Sequence, residues 1–157
     1  SKPVSDFRTR AEVMTIDAAT AASLTNEILA RGQSVQFVAR GSSMWPFIID
    51  GDTVGLDPFV GQPKIGDVVL LTTTVAGPLH RIVAGPRNGR YLVWGDALPN
   101  PDTWVKADEI VGRLTRRYRN GVKKTVHGGQ KTVVIARILG LSRRLISKIR
   151  HGFLGSR

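Results

Sequence analysis

Short strand-like stretches, separated by glycine, proline and aspartate, fill the middle of the chain. They lie at 53–56, 67–74, 79–84 and 91–94, and an alternating stretch at 34–40 precedes them. Breaks such as Asp57-Pro58 and Gly85-Pro86 come too often for long helices. Two further stretches, 114–119 and 122–126, flank Asn120-Gly121, a pair that tolerates the positive φ angles of a tight hairpin turn. The pattern predicts a mainly β body within an α+β fold.

Helical periodicity flanks this body on both sides. Apolar residues recur every three or four positions over 17–31, and Gly32 stands where a helix is expected to end. A longer helix is predicted over 132–153, with one apolar face and a largely opposite basic face. The chain therefore divides into an N-terminal extension with a helix (1–33), a β domain (34–126) and a basic amphipathic C-terminal helix (127–157).

The positive charge is concentrated at the C-terminal end. Residues 1–112 carry 10 Lys and Arg against 12 Asp and Glu, whereas residues 113–157 carry 13 Lys and Arg and no acid. Such asymmetry predicts an anionic partner, either a membrane surface or nucleic acid. The amphipathic helix favours a membrane surface, or packing on its own domain or on a partner, because phosphate contacts to nucleic acid need less apolar area.

The composition also excludes several kinds of chemistry. Because the chain has no cysteine, disulfides, thiolate catalysis and cysteine-bound zinc are excluded. With three histidines in the chain, we expect neither a metal site nor a cofactor. No stretch reaches the roughly 18–20 apolar residues that span a bilayer, and residues 1–14 lack the apolar segment of a secretory signal. We therefore expect a cytoplasmic protein that can be peripheral to a membrane.

A serine-rich turn and one histidine carry the candidate chemistry. Ser43 lies in the segment Gly41-Ser42-Ser43-Met44-Trp45-Pro46, where a turn can expose a hydroxyl beside backbone N–H groups. A serine hydroxyl needs a base within about 2.6–3.2 Å, and the β domain contains one histidine, His80, in a predicted strand. Taken alone, the two segments are more typical of an ordinary turn and a structural histidine.

Five short motifs in a fixed order make these two segments more specific. They are Ser43-Met44-Trp45-Pro46, Gly51-Asp52, Gly66-Asp67-Val68-Val69, Leu79-His80-Arg81 and Gly95-Asp96. In their order and spacing, over about residues 37–114, the chain resembles the signal peptidase I superfamily, which includes the LexA-type self-cleaving proteins. The resemblance implies a coiled β-sheet body and a serine endopeptidase that cleaves peptides or proteins after small residues.

The base segment resembles the archaeal and endoplasmic-reticulum signal peptidases, which use histidine followed by arginine where most bacterial members use lysine. The resemblance implies that Ser43 is the nucleophile and His80 the general base. It also implies a third group that orients the imidazole, and both Asp96 and Asp102 follow at a suitable place. The sequence does not choose between these two aspartates.

The substrate cleft is predicted beside Ser43. Many bacterial relatives place a serine two residues before the nucleophile, where this chain has Gly41. The oxyanion donors would then be backbone N–H groups, that of Ser43 with one from Gly41 or Ser42. Met44 and Trp45 are candidate substrate contacts, and packing in the core is the alternative for both.

Two other functions are compatible with the sequence. A LexA-type regulator that cleaves itself is expected to carry a DNA-binding domain ahead of the catalytic body. The residues before Ser43 do not show two closely spaced helices of helix-turn-helix form. A non-catalytic relative would keep the same fold to bind peptides.

Overall fold

The computed structural model describes residues 18–72 and 79–154. The part of the predicted N-terminal extension before residue 18 lies outside these residues. The elements are α1 (Ala18–Ala30), β1 (Val35–Val38), β2 (Thr53–Pro58), β3 (Val68–Leu71), β4 (Leu79–Arg87), β5 (Arg90–Trp94), β6 (Thr103–Lys106), a short 3₁₀ turn (Ala107–Glu109), β7 (Ile110–Arg119), β8 (Val122–Lys124) and α2 (Gln130–Leu154). The mainly β, α+β fold confirms the predicted fold class.

One antiparallel sheet joins the strands of the described chain and curls into a half-barrel. Its order is β1-β2-β7-β3-β4-β5-β6, and β8 pairs with the end of β7. The long strand β7 is central, because it pairs with β2 along one edge and with β3 and β8 along the other. Strand β4, which carries His80, pairs with β3 and β5.

Two apolar clusters form the core of the described chain. The larger cluster joins Leu29 of α1 to the first strands, and it includes Met44 and Ile48 from the segment between β1 and β2. The second cluster includes Val69, Ile82 and Val93 of β3, β4 and β5. The segment that carries Ser43 is therefore anchored in the core through its apolar neighbours.

The strand predictions differ from the structure at three places, and the first is Asp57-Pro58, a predicted break that lies within β2. Gly85-Pro86 does not end its strand, because β4 continues to Arg87 and the pairing with β5 shifts register around the pair, as at a β-bulge. Strand β6 was not predicted, since its four residues bury only Val105. The predicted hairpin at Asn120-Gly121 is confirmed, with φ angles of 51° and 74°.

Helix α2 packs on the sheet through its small residues. Thr132, Ala136 and Gly140 are buried along one side of the helix. A Cβ atom at Gly140 would lie 2.9 Å from the carbonyl oxygen of Asp96, so this close approach of helix and loop requires glycine. The predicted helix is confirmed, but its packed side is the one with small residues.

The side of α2 that faces away from the sheet presents large apolar side chains to solvent. We call this side the outward apolar face, and its members are 36–63% exposed: Val134, Ile135, Ile138, Leu139, Leu141, Leu145 and Ile146. In the described parts of the chain, no helix is both long enough and apolar enough to cross a bilayer.

Candidate active site

Ser43 lies in a closed loop between β1 and β2. At the base of the loop, the N–H of Ala39 donates to the carbonyl of Asp52 at 2.7 Å. Inside the loop, the N–H of Ile48 donates to the carbonyl of Met44 at 3.0 Å, and both side chains are buried. Backbone bonds and core packing therefore fix the position of Ser43. Met44, a predicted substrate contact, belongs to the core instead.

Asp52 holds the end of this loop. Its buried carboxylate accepts hydrogen bonds from the N–H of Ile49 at 3.1 Å and from Arg117 and Arg119 at 2.8–3.3 Å. Burial acts to raise the pKa of Asp52, but these hydrogen bonds, led by that from Arg119, outweigh it and lower the pKa. The Gly-Asp motif after the serine thus has a structural role, as a buried ion-pair anchor.

The backbone N–H groups around Ser43 are not equally available. The N–H of Gly41 already donates to the Asp50 carboxylate at 2.9 Å. Gly41 also has a φ of 87°, which side chains disfavour, and this explains why glycine occupies the position. Within the described chain, no hydrogen bond uses the N–H of Ser42 or Ser43. These two groups are therefore the available oxyanion donors of this turn.

His80 is a buried histidine with one unpartnered nitrogen. It lies on β4 opposite Val69 of β3 and is 4% exposed. Its Nε2 is 3.4 Å from Oδ2 of Asp102, whereas its buried Nδ1 has no hydrogen-bond partner. Burial lowers the pKa of His80, and the negative charge of Asp102 counters this only in part. The imidazole is therefore neutral at pH 7, and a proton on Nε2 facing the carboxylate leaves a lone pair on Nδ1.

The two candidate aspartates have different partners. Both carboxylate oxygens of Asp96 accept hydrogen bonds from Arg81 at 2.8 Å, and both side chains are fully buried. Because successive side chains of a strand point to opposite faces, Arg81 and Asp96 lie on the other face of β4 from His80. Asp102, whose side chain is 25% exposed, is the carboxylate beside the imidazole.

Arg81 joins three segments of the chain at the buried side of β4. Besides its two bonds to Asp96, its guanidinium donates to the carbonyl of Gly66 at 2.8 Å and to that of His127 at 2.7 Å. The arginine of the His-Arg motif therefore ties β4 to the turn before β3 and to the connection that leads into α2.

The loop after β5 connects the two halves of the candidate site. The N–H of Ala97 donates to the carbonyl of Ser43 at 2.8 Å. At the other end of the same loop, Asp102 accepts from the N–H of Gly95 at 2.9 Å and contacts His80. Within the described residues, no hydrogen bond joins the side chains of Ser43 and His80, and the Ser43 hydroxyl has no partner. The link between the two residues thus runs through this loop.

Helix α2 forms one wall of each of two open clefts beside Ser43. The first cleft, about 360 Å³, is lined by Ser42, Ser43, Ala97, Leu98, Arg143, Arg144 and Ser147. The second, about 470 Å³, is lined by Gly41, Ser42, Trp45, Ile49, Asp50 and Arg143. The Arg143 guanidinium lies 4.9 Å from the centre of the Trp45 ring. Trp45, the other predicted substrate contact, therefore does line a cleft.

The contribution of α2 to this site was missed by the sequence reasoning. Arg137 donates to the carbonyl of Gly95 at 2.9 Å and lies 3.9 Å from the centre of the Trp94 ring, so the helix holds the loop after β5. The signal was present in the small residues that recur every fourth position, Thr132, Ala136 and Gly140, because such a row lets a helix approach backbone closely.

No family model matches the chain, and a search of curated proteins finds no significant relative. The resemblance to signal peptidases therefore rests on the motifs themselves. The described residues also contain no cluster of three or more His, Asp and Glu side chains suited to holding a metal ion.

Proposed function

We propose that the protein is a serine endopeptidase of signal-peptidase type, with Ser43 as nucleophile, His80 as general base and Asp102 as the group that orients the imidazole. The observation that carries the proposal is the environment of His80. Its Nε2 faces a carboxylate, its buried Nδ1 is unpartnered, and the loop that supplies the carboxylate also bonds to Ser43. A buried polar atom without a partner is costly, and a catalytic role is one explanation for such an atom.

The proposed reaction uses each of these groups once. Nδ1 of His80 takes the hydroxyl proton as Oγ of Ser43 attacks the carbonyl carbon of the scissile bond. The carbonyl oxygen becomes an oxyanion, which the N–H groups of Ser42 and Ser43 stabilise. The C–N bond then breaks, the amine leaves with the proton from His80, and water hydrolyses the acyl-enzyme by the reverse sequence of proton transfers.

The charges that line the clefts indicate the chemistry of the substrate. No carboxylate of the described residues forms an ion pair with Arg143 or Arg144, and Asp50 is the one acid among the lining residues. A peptide with Asp or Glu near its scissile bond would pair with these guanidinium groups.

We place the enzyme in the cytoplasm, at a membrane surface.

The test is cleavage of synthetic peptides that carry small residues before the scissile bond, each made with Glu and with Gln beyond it. We expect cleavage by the wild type, faster for the Glu peptides, and a loss of roughly 10⁴-fold or more in Ser43→Ala, because the variant lacks the hydroxyl on which the acyl-enzyme would form. Ser34→Ala is the matched control, since the Ser34 hydroxyl donates to Asp57 at 2.7 Å in an exposed pair between β1 and β2.

Other results would assign the protein to one of the rival functions. Cleavage that persists in Ser43→Ala would exclude Ser43 as the nucleophile. Peptide binding without cleavage would identify a non-catalytic relative. Two fragments of the protein itself, seen by intact mass after prolonged incubation and absent in Ser43→Ala, would identify a self-cleaving regulator.

A further inference from the structure

The outward apolar face is a large apolar surface on a helix that is already packed. Val134, Ile138, Leu141 and Leu145 lie on the side of α2 opposite the buried Thr132, Ala136 and Gly140, and the other three members of the face lie on one flank of the helix. The helix therefore does not need these side chains for its contact with the sheet. An exposed apolar strip of this size indicates an interaction surface, because soluble monomeric proteins rarely expose large continuous apolar patches.

The charge around this face decides which partner fits. Among the described side chains of α2, five are Lys or Arg and none is an acid, whereas the four arginines of β7 are paired with aspartates of the sheet and its loops. Lys131 and Lys148 of α2 are exposed near the two ends of the described side chains of the helix. A second copy of the chain would bring two such basic segments together, and like charges repel across an interface. An anionic lipid surface instead attracts the cations and accepts the apolar side chains.

We propose that the outward apolar face of α2 lies in the surface of an anionic membrane, parallel to its plane. The helix is then two-sided, with its small residues and Arg137 on the sheet and its Val, Ile and Leu side chains among the lipid acyl chains. Because the inward side of α2 lines the cleft at Ser43, the membrane surface lies about one helix diameter, roughly 10–12 Å, from this cleft. The binding itself does not depend on peptidase activity.

The experiment measures co-sedimentation of the whole chain with vesicles of phosphatidylcholine alone and of phosphatidylcholine mixed with phosphatidylserine. We expect binding to the mixed vesicles that weakens as salt is raised, and much weaker binding to the neutral ones. Leu141→Gln combined with Leu145→Gln, which changes two side chains that are 60% and 63% exposed, should weaken binding roughly a hundredfold. Lys131→Gln combined with Lys148→Gln should weaken it roughly tenfold.

The control is Leu24→Gln, which replaces a 48% exposed leucine on α1 and should bind as the wild type does. Vesicle binding that is equal in the Leu141/Leu145 variant and the wild type overturns the proposal. So does a dimer, measured by light scattering, that dissociates in this variant while vesicles are not bound. A monomer that binds neither vesicle overturns it as well. Because Ser43→Ala should bind vesicles normally, failure of the peptidase proposal and failure of this one are distinguishable.

Discussion

Asp102 and His80 form the contact on which the candidate chemistry depends most. The imidazole is buried, so its charged form is disfavoured, and Asp102 is the carboxylate close enough to stabilise that form when it appears during reaction. Asp102 also accepts a hydrogen bond from the N–H of Gly95, which fixes the direction of its carboxylate. One side chain thus contacts both the imidazole of His80 and the backbone of the loop that bonds to Ser43.

We expect Asp102→Asn to reduce kcat/KM roughly 10²–10⁴-fold, because an amide cannot stabilise an imidazolium as a carboxylate does. The negative charge of Asp102 raises the pKa of His80, so its removal lowers that pKa further. The acidic limb of the pH profile, where neutral His80 is lost, should therefore move to lower pH. Peptide cleavage measured across the pH range checks both effects.

A matched control is Asp108→Asn, because Asp108 is exposed on the 3₁₀ turn after β6. It should leave both the rate and the pH profile unchanged. If Asp102→Asn kept most of the activity with an unmoved acidic limb, Asp102 would have only a structural role.

The sequence located Ser43 and His80 but could not choose their third partner. Asp96 and Asp102 both follow β5, and both are compatible with the motif. The choice depends on which face of β4 each aspartate meets, and this is a property of the folded loop. Arg81 donates hydrogen bonds to both carboxylate oxygens of Asp96. His80 points to the other face of β4, where its nearest carboxylate is that of Asp102.

Helix α2 depends on one close backbone contact for its position. The helix meets the loop after β5 where Gly140 faces the carbonyl of Asp96, and Arg137 bonds to the carbonyl of Gly95 in the same loop. A side chain at 140 would push the helix away from this loop, which also bonds to Ser43 through Ala97.

We expect Gly140→Leu to destabilise the protein by about 1–3 kcal/mol through overpacking and to lower peptide cleavage. The arginines and lysines of α2 should also become more accessible to trypsin as the helix separates from the sheet. Ser142→Leu is the control, since Ser142 is exposed and its hydroxyl donates only to Ile138 of the same helix. Equal stability and equal trypsin sensitivity in the two variants would show that the contact at Gly140 is not needed.

Elements with a strong periodic signal were predicted closely, and elements defined by their neighbours were not. The helix predicted over 17–31 is observed as Ala18–Ala30, and its last turn is closed by bonds from the N–H groups of Gly32 and Gln33. Strand β6 has one buried side chain and exists because β5 offers an edge to pair with. The packed side of α2 was also hidden, since its small residues give a weaker apolar pattern than the Val, Ile and Leu side chains of the rest of the helix.

The whole molecule is held together by buried ion pairs as well as by its apolar clusters. Asp52 pairs with Arg117 and Arg119 of β7, and Asp96 pairs with Arg81 of β4. These pairs join the Ser43 loop to β7 and the loop after β5 to β4, and these are the two longest strands of the sheet. Such buried pairs are strongly destabilising when one partner is lost, so the position of the candidate site is coupled to the stability of the fold.

The free energy of unfolding should fall in two separate steps as the pH is lowered. Burial lowers the pKa of His80 in the folded state, so below about pH 6.5 the unfolded chain binds a proton that the folded chain does not. The free energy of unfolding should then fall by up to about 1.4 kcal/mol per pH unit until the lowered folded pKa is reached. Asp52 and Asp57 have lowered pKa values, so their contributions to stability persist throughout the His80 step. These contributions are lost only below about pH 4. Denaturant unfolding followed by tryptophan fluorescence measures both steps. The first step should disappear in His80→Gln, and a first step of unchanged size in that variant would assign it to another group.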